Sequence, residues 1–216
     1  LFGHLGNQLF QIAATIGYAE KYNLPYHIPF KTTHDKFIPV IEHLQNKLYD
    51  LQLEKISINQ PPNPTAYTEL TKPSLLQNNV NICLNGYFQS YKYFENCEDA
   101  VRNAILPSSM PTLPNSHLDW VSLHVRRGDY VHLQQYHPLV HFDWYIQAIL
   151  FFKQKGFHCF LIFSDDMDWA EDHFNEFRFT GSRFVYSKEQ DPLKDMLLMA
   201  QCTHHIIANS SFSWWG

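Results

Sequence analysis

A short run of charged residues near the middle of the chain has the composition of an anion-binding site. His124 and Arg126 lie two residues apart at the end of an apolar run, so on an extended strand both side chains point to one crevice. The planar guanidinium of an arginine can hold two phosphate oxygens and neutralise the charge that grows on a departing nucleoside diphosphate. We therefore expect Arg126 to bind such a group. An ion pair with Asp129 across a turn is the alternative for Arg126 and the preferred interpretation for Arg127.

A second polar segment, Ser164 to Asp168, offers an alternative way to bind a diphosphate. Its Asp166 and Asp168 form an Asp-x-Asp pattern that could hold a divalent metal. We expect no metal, because Arg126 supplies the same counter-charge and acidic residues are favoured at the start of a helix. Ser164 and Asp165 are then expected to bind the ribose of a nucleotide or to brace the neighbouring loops.

An alternation of strands and helices in the second half of the chain would position these residues. Apolar and β-branched runs predict strands at 121–125, 159–163, 183–187 and 205–208. Helical spacing and caps predict helices at 142–155, at 169–177 and from the Asp191-Pro192 pair onward. Such alternation predicts an α/β fold with a parallel sheet, in which ligands bind beyond the carboxyl ends of the strands. The polar candidates follow those ends.

The first half of the chain begins with a glycine-framed loop and a helix. Leu9, Ile12, Ala13 and Ile16 repeat with the spacing of a helix that has one buried face. Proline-rich breaks follow at 61–66 and 107–114, and we place a domain boundary at the second one, between domains 1–106 and 117–216. Since the chain begins and ends inside motifs, we expect it to be truncated at both ends.

Composition limits the class of partner. A net charge of -5 provides no general attraction to nucleic acid. No apolar run reaches the roughly 18 to 20 residues of a membrane span. Binding of nucleic acid is therefore not expected, and membrane association stays open.

Four segments of the sequence together resemble glycosyltransferase family 11, the α-1,2-fucosyltransferase family. The segments, in chain order, are LGNQLFQ at 5–11, GYFQS at 86–90, HVRRGDY at 124–130 and NSSFSWWG at 209–216. The resemblance implies a GT-B-like architecture with two Rossmann-like domains, an N-terminal acceptor-side domain and an incomplete C-terminal domain that binds GDP-fucose. It also implies a galactose-containing glycan as acceptor and no metal cofactor.

The resemblance assigns expected roles to individual residues of this sequence. Arg126 would hold the β-phosphate, His124 would contact the nucleotide, and Asp195 would accept hydrogen bonds from guanine. A helix N-terminus is expected to cradle the diphosphate with Ser210, Ser211 and Phe212. For Asp195 an ordinary solvated helix position is the alternative.

Two further positions carry open alternatives. Asn7 lies in the N-terminal motif and would orient fucose or the diphosphate, or else cap the helix that follows. The related α-1,6-fucosyltransferases have a catalytic carboxylate eight residues after the first motif arginine, where this chain has Gln134, which cannot act as a base. Asp129 and His137 are the remaining candidates for the base, of which Asp129 lies within the motif.

The resemblance therefore implies an inverting fucosyltransferase that moves L-fucose from GDP-β-L-fucose to the 2-hydroxyl of a galactose. The alternatives are a fucosyltransferase with another acceptor and a non-catalytic module that binds a GDP-sugar or a glycan. The expected location depends on the source: cytoplasmic or membrane-peripheral in a bacterium, the Golgi lumen in an animal.

Overall fold

The computed structural model describes residues 1–28, 54–73, 80–107, 109–175, 178–189 and 191–216. The chain divides into two compact units, Leu1–Ser108 and Ser109–Gly216. The division falls within the proline-rich stretch at 107–114. Within the described ranges, no helix is long and apolar enough to cross a membrane.

The first unit is built on one long helix, α1 (Leu5–Tyr22), which confirms the helix predicted from its apolar spacing. Leu9, Ile12, Ala13 and Ile16 are all buried. The helix ends at Asn23, which adopts the left-handed conformation and donates its backbone N–H to α1 carbonyls.

The rest of the first unit was not predicted. Strands β1 (Glu54–Asn59) and β2 (Val80–Asn85) form a parallel pair. A 3-10 turn at Tyr91–Tyr93 and helix α2 (Glu98–Ile105) follow. Strand β2 has asparagines at positions 81 and 85, so it lacks the continuous apolar run that marks a core strand, and it is only partly buried.

The second unit confirms the predicted α/β alternation and parallel sheet. Its strands are β3 (Trp120–Val125), β4 (Cys159–Ser164), β5 (Arg183–Tyr186) and β6 (His204–Ile206). Its helices are α3 (Phe142–Gln154), α4 (Met167–His173), α5 (Pro192–Ala200) and α6 (Ser211–Trp215). Helix α4 ends before the predicted position 177, and residues 176–177 lie outside the described residues.

The sheet has the strand order β5-β4-β3-β6, and every neighbouring pair is parallel. All six residues of β3 are buried, because helices cover both faces of the sheet. On one face Val121, Leu123 and Val125 share a cluster with Tyr145 and Ile149 of α3. On the other face, Trp120 and the β4 residues Leu161 and Phe163 share a cluster with Leu198 and Met199 of α5.

Candidate active site

The register of the central strands brings the polar candidates of the second unit to one edge. Val125, the last residue of β3, pairs with Ser164, the last residue of β4. The residues that follow, Arg126 and Asp165, therefore leave the sheet side by side although they are far apart in sequence. This is the edge at which parallel α/β sheets bind ligands.

The side chain of Arg126 is held by two carboxylates. Its Nη1 lies 2.6 Å from Oδ2 of Asp165, and its Nη2 lies 2.5 Å from Oδ1 of Asp129. The guanidinium also lies 5.1 Å from the ring centre of Tyr130. The arginine side chain is 20% exposed and that of Asp129 is 43% exposed. The group predicted to bind phosphate therefore has a fixed direction, and Asp129 is the more solvent-accessible of its two partners.

The expected ion pair between Arg127 and Asp129 is wrong. The Nε of Arg127 donates to Oδ2 of Asp166 at 2.8 Å, and its guanidinium lies 4.3 Å from the ring centre of Trp169. Asp129 pairs with Arg126 instead, because the 3-10 turn at Gly128–Val131 places the two residues one turn apart. The first arginine of the motif thus lies at the sheet edge, and the second joins the β3 loop to the start of α4.

Asp165 also fixes the backbone of the motif. Its Oδ1 accepts the backbone N–H of Arg127 at 2.8 Å. A Cβ at Gly128 would overlap Oδ2 of Asp165, so a larger residue there would displace the carboxylate oxygen that holds Arg126. Of the two roles expected for Asp165, the structure shows the bracing role through these contacts, while ribose binding stays a prediction.

Ser164 and Asp166 of the acidic segment make hydrogen bonds and an ion pair within the protein. The Arg127 guanidinium holds the pKa of Asp166 below its ordinary value, and Asp166 also accepts the backbone N–H of Trp169 at the start of α4. The Ser164 hydroxyl accepts the Asp166 N–H and donates to the Asp166 carbonyl. In the described ranges, no group of three or more His, Cys, Asp or Glu residues is arranged to hold a metal ion. Metal independence remains a prediction.

His124 lies beneath the candidate site rather than in an open crevice. Its side chain is 5% exposed and its ring centre lies 5.1 Å from that of Phe212. Burial, with a smaller effect from Arg126, lowers the pKa of His124 to about 3, so the imidazole is neutral at neutral pH. Its Nδ1 is buried without a hydrogen-bond partner in the described structure.

Asp195 is half-buried on α5 at the same edge of the sheet, so it is not an ordinary solvated residue. Its carboxylate accepts a hydrogen bond from the Ser187 hydroxyl just beyond β5. Burial raises the pKa of Asp195 to about 6, against the opposing effect of the Ser187 hydrogen bond. The sequence identified Ser187 as a polar residue at a strand end, but this pairing depends on the fold.

The 209–213 segment closes the edge from the side of β6. The Ser210 hydroxyl accepts the backbone N–H of Phe212 and so caps the short helix α6, which begins at Ser211. The helix start predicted there is confirmed, and its binding of a diphosphate stays a prediction. Tyr130 donates its hydroxyl to the Asn209 carbonyl at 3.3 Å, which links this segment to the arginine motif.

Tyr130 was missed as a site residue even though it lies inside the motif. Its ring contacts Arg126 and stacks on His137 with 4.7 Å between ring centres. Its position as the last residue of the HVRRGDY segment is the sequence feature that could have identified it. Gln134 is exposed and donates to the Val131 carbonyl.

Asn7 belongs to the first unit and is described there alone. His4 occupies the cap position of α1, so the alternative of a capping role for Asn7 is wrong. Its Oδ1 accepts a hydrogen bond from Nε2 of Gln89 at 2.6 Å. Two of the segments that carried the family resemblance, 5–11 and 86–90, are therefore joined within one unit.

The parallel α/β fold and its arginine-bearing edge are consistent with a Rossmann-like glycosyltransferase. The profile of glycosyl transferase family 11 matches residues 1–216, and the chain belongs to that family. No solved structure matches the chain.

Named relatives include bacterial and animal glycosyltransferases. The O-antigen biosynthesis glycosyltransferase WbnK of Escherichia coli is 28% identical over 277 aligned positions that cover 100% of this chain and 87% of that protein. An alpha-1,2-colitosyltransferase of Escherichia coli is 35% identical over 61% of this chain and 49% of its own length. The galactoside alpha-(1,2)-fucosyltransferase 2 of Bos taurus is 33% identical over 44% of this chain and 29% of its own length. The aligned segments thus span about half or less of the latter two relatives.

Proposed function

We propose that this chain transfers L-fucose from GDP-β-L-fucose to the 2-hydroxyl of a galactose in a glycan, with inversion at the anomeric carbon. Membership in family 11 and the α-1,2-fucosyltransferase relatives support the reaction class. The observation that carries the proposal is the guanidinium of Arg126, fixed at the carboxyl edge of a parallel sheet. The GT-B-like arrangement of the two units is part of the same proposal.

In the proposed reaction the galactose hydroxyl attacks the fucose C1 from the face opposite GDP. The bond between C1 and the β-phosphate oxygen breaks, and GDP leaves with the bonding electrons. Negative charge therefore grows on the diphosphate, where two N–H groups of Arg126 can donate to its oxygens. The arginine stabilises the transition state more than the bound substrate, because the diphosphate carries more negative charge in the transition state.

The hydroxyl proton needs an acceptor, and Asp129 is the proposed base. It lies within the arginine motif, its side chain is 43% exposed, and its present partner is the arginine that would bind the diphosphate. When the diphosphate takes the Nη2 donor of Arg126, the Asp129 carboxylate is released. The released carboxylate can then accept a proton from the acceptor hydroxyl.

Nucleotide recognition is proposed to lie along the same edge. Asp195 would accept the N1 and N2 hydrogens of guanine, and neutral His124 would contact the nucleotide. Asp195 is half-buried, so a guanine edge bound against it would also lose contact with water. The guanine N–H groups would then need a hydrogen-bond acceptor from the protein, which supports a role of Asp195 in base specificity. The diphosphate would lie against the start of α6, with Ser210, Ser211 and Phe212.

A second candidate for the sugar donor is GDP-colitose, because one relative is an alpha-1,2-colitosyltransferase. Colitose is L-fucose without its 3-hydroxyl, so the same attack and inversion would apply. An enzyme that hydrogen-bonds the 3-hydroxyl discriminates strongly against the deoxy sugar, because polar groups of the site are then left unpaired. Comparison of kcat/KM for GDP-fucose and GDP-colitose decides between the two donors.

The proposed function is tested by incubating the protein with GDP-fucose and lactose or another β-galactoside. The expected product carries Fucα1-2Gal, identified by NMR of the purified glycan. Attachment at O3 or O6 of galactose would overturn the linkage, and absence of transfer to any galactoside would overturn the acceptor. Binding of GDP without turnover of either donor would favour the non-catalytic alternative.

A further inference from the structure

The first unit contains a cavity of about 490 Å³, which is within the size range of small-molecule sites. Its wall combines the last turns of α1, the stretch around 67–70 and the residues 92–97. We propose that this cavity binds a neutral oligosaccharide. Tyr18 in its wall lies about 16 Å along α1 from Asn7, so the cavity is separate from the N-terminal motif.

The cavity wall is held in place without any ligand. The Tyr93 hydroxyl accepts the Thr68 N–H at 3.2 Å and donates to the Ala66 carbonyl at 3.3 Å. A Cβ at Gly17 would overlap the Tyr93 carbonyl oxygen, so α1 and the 3-10 turn are in close backbone contact. A preformed wall lowers the entropic cost of binding a ligand.

The 67–70 stretch of the wall is also tied to α1 by polar contacts. Lys21 pairs with Glu69 at 2.7 Å, and the Tyr22 hydroxyl donates to the Leu70 carbonyl at 2.7 Å. The Lys21 and Glu69 side chains are both exposed, so their polar atoms remain accessible to a ligand. The 67–70 stretch is therefore positioned against the helix end at several points.

An exposed aromatic ring provides a surface suited to a sugar. Tyr67 is 43% exposed and packs against Tyr93 with 5.1 Å between ring centres. The Nζ of Lys92 lies 5.8 Å from the centre of the Tyr67 ring. A sugar ring has one face made largely of C–H groups, which packs against an aromatic face and removes both from water. The adjacent ammonium can donate to a sugar hydroxyl.

The charges of the wall favour a neutral ligand over a phosphorylated one. Three glutamates, Glu20, Glu69 and Glu95, face two lysines, Lys21 and Lys92, and this set carries a net charge of -1. Among the described residues, neither the Glu20 carboxylate nor the Glu95 carboxylate has a hydrogen-bond or ion-pair partner. Sugar hydroxyls both donate and accept, so they match a wall that offers carboxylates and ammonium groups together.

The choice of sugar rests on the proposed function, whereas the site itself does not. If the acceptor is a galactose-containing glycan, a galactose-containing oligosaccharide is the class of ligand to expect in this cavity. The ligand to test is thus a galactose-containing oligosaccharide without phosphate or sulfate groups.

The test is a titration of the full chain with a neutral galactose-containing tetrasaccharide, followed by isothermal calorimetry and by ligand-observed NMR. Tyr67→Ala is expected to weaken binding about tenfold or more, through loss of the aromatic face. Tyr91→Ala is the matched control, because Tyr91 is 51% exposed and does not line the cavity. Glu95→Gln, at an exposed position of the wall, is expected to weaken binding by a smaller factor. GDP affinity should be the same in all four proteins, and a thermal melt of each shows that it is folded.

The inference is overturned if the wild-type protein binds no such oligosaccharide, or if Tyr67→Ala and Tyr91→Ala bind it equally well. Oligosaccharide binding that depends on Tyr67, together with no transfer from GDP-fucose, would support the site and reject the proposed function. If the protein transfers fucose from GDP-fucose but Tyr67→Ala changes neither the KM of a long acceptor nor oligosaccharide binding, the proposed function is supported and the oligosaccharide site is rejected.

Discussion

Asp165 and Arg126 meet at 2.6 Å because their strands end in register, at Ser164 and Val125. The same carboxylate accepts the backbone N–H of Arg127 and lies against Gly128. One acidic residue from the β4 loop therefore sets both the direction of the Arg126 side chain and the course of the motif backbone.

The Asp165→Asn variant is expected to lower the turnover of GDP-fucose about tenfold or more, because Arg126 loses the charged partner that fixes its direction. GDP affinity should fall by a smaller factor than turnover. The loss of the negative charge of Asp165 reduces its repulsion of the diphosphate and so offsets part of the weaker binding by Arg126. Affinity for guanosine, which has a ribose but no phosphate, should not change. Asp168→Asn, on the same segment, is the control. A loss of guanosine affinity in Asp165→Asn would assign Asp165 to the ribose instead.

The Arg126→Lys variant is expected to reduce turnover about 100-fold or more, the scale of losing one transition-state donor. Lysine keeps the positive charge but cannot hold two oxygens in a fixed plane. Folding should be affected far less than activity, which a thermal melt checks alongside the kinetics. Turnover near that of the wild type would remove Arg126 from the proposed role.

Discrimination between GDP and ADP is expected to depend on pH through Asp195. Burial raises the pKa of this carboxyl to about 6, so the ionised form that accepts guanine hydrogens dominates above that pH. Below it the ratio of GDP to ADP affinity should fall, approaching tenfold per pH unit. The ratio cancels the titration of the phosphates, which both nucleotides share.

Asp195→Ala should weaken GDP binding, leave ADP nearly unchanged and remove the pH dependence of the ratio. The expected loss corresponds to about 1 to 3 kcal/mol for unpaired guanine donors. Equal losses for the two nucleotides would contradict base recognition by Asp195.

Activity is expected to persist after treatment with EDTA. Arg126 offers the counter-charge to the diphosphate. Asp166 of the Asp-x-Asp pattern already forms an ion pair with Arg127. Initial rates before and after chelation, followed by addition of manganese, provide the measurement. An enzyme that EDTA inactivates and manganese restores would support the Asp166 and Asp168 metal site.

The periodic patterns of the sequence were sufficient to predict several elements. The spacing of Leu9, Ile12, Ala13 and Ile16 predicted α1, and the cap pair Asp191-Pro192 predicted α5. The apolar runs predicted the parallel sheet and the edge where Arg126, Asp165 and Ser210 lie. Such predictions succeed because the period of side chains along one helix or strand is a local property of the chain. Strands β1 and β2 carry a weaker pattern and were missed.

The sequence by itself therefore determined the α/β class, the parallel sheet and the candidate residues at the strand ends. The tertiary structure decided which partner each residue has: Asp129 with Arg126, Asp166 with Arg127, and Ser187 with Asp195. It also decided that His124 is buried against Phe212. Ion pairs and burial of this kind depend on strand register and helix placement between segments distant in sequence. Spacing along a single segment carries no information about those distances.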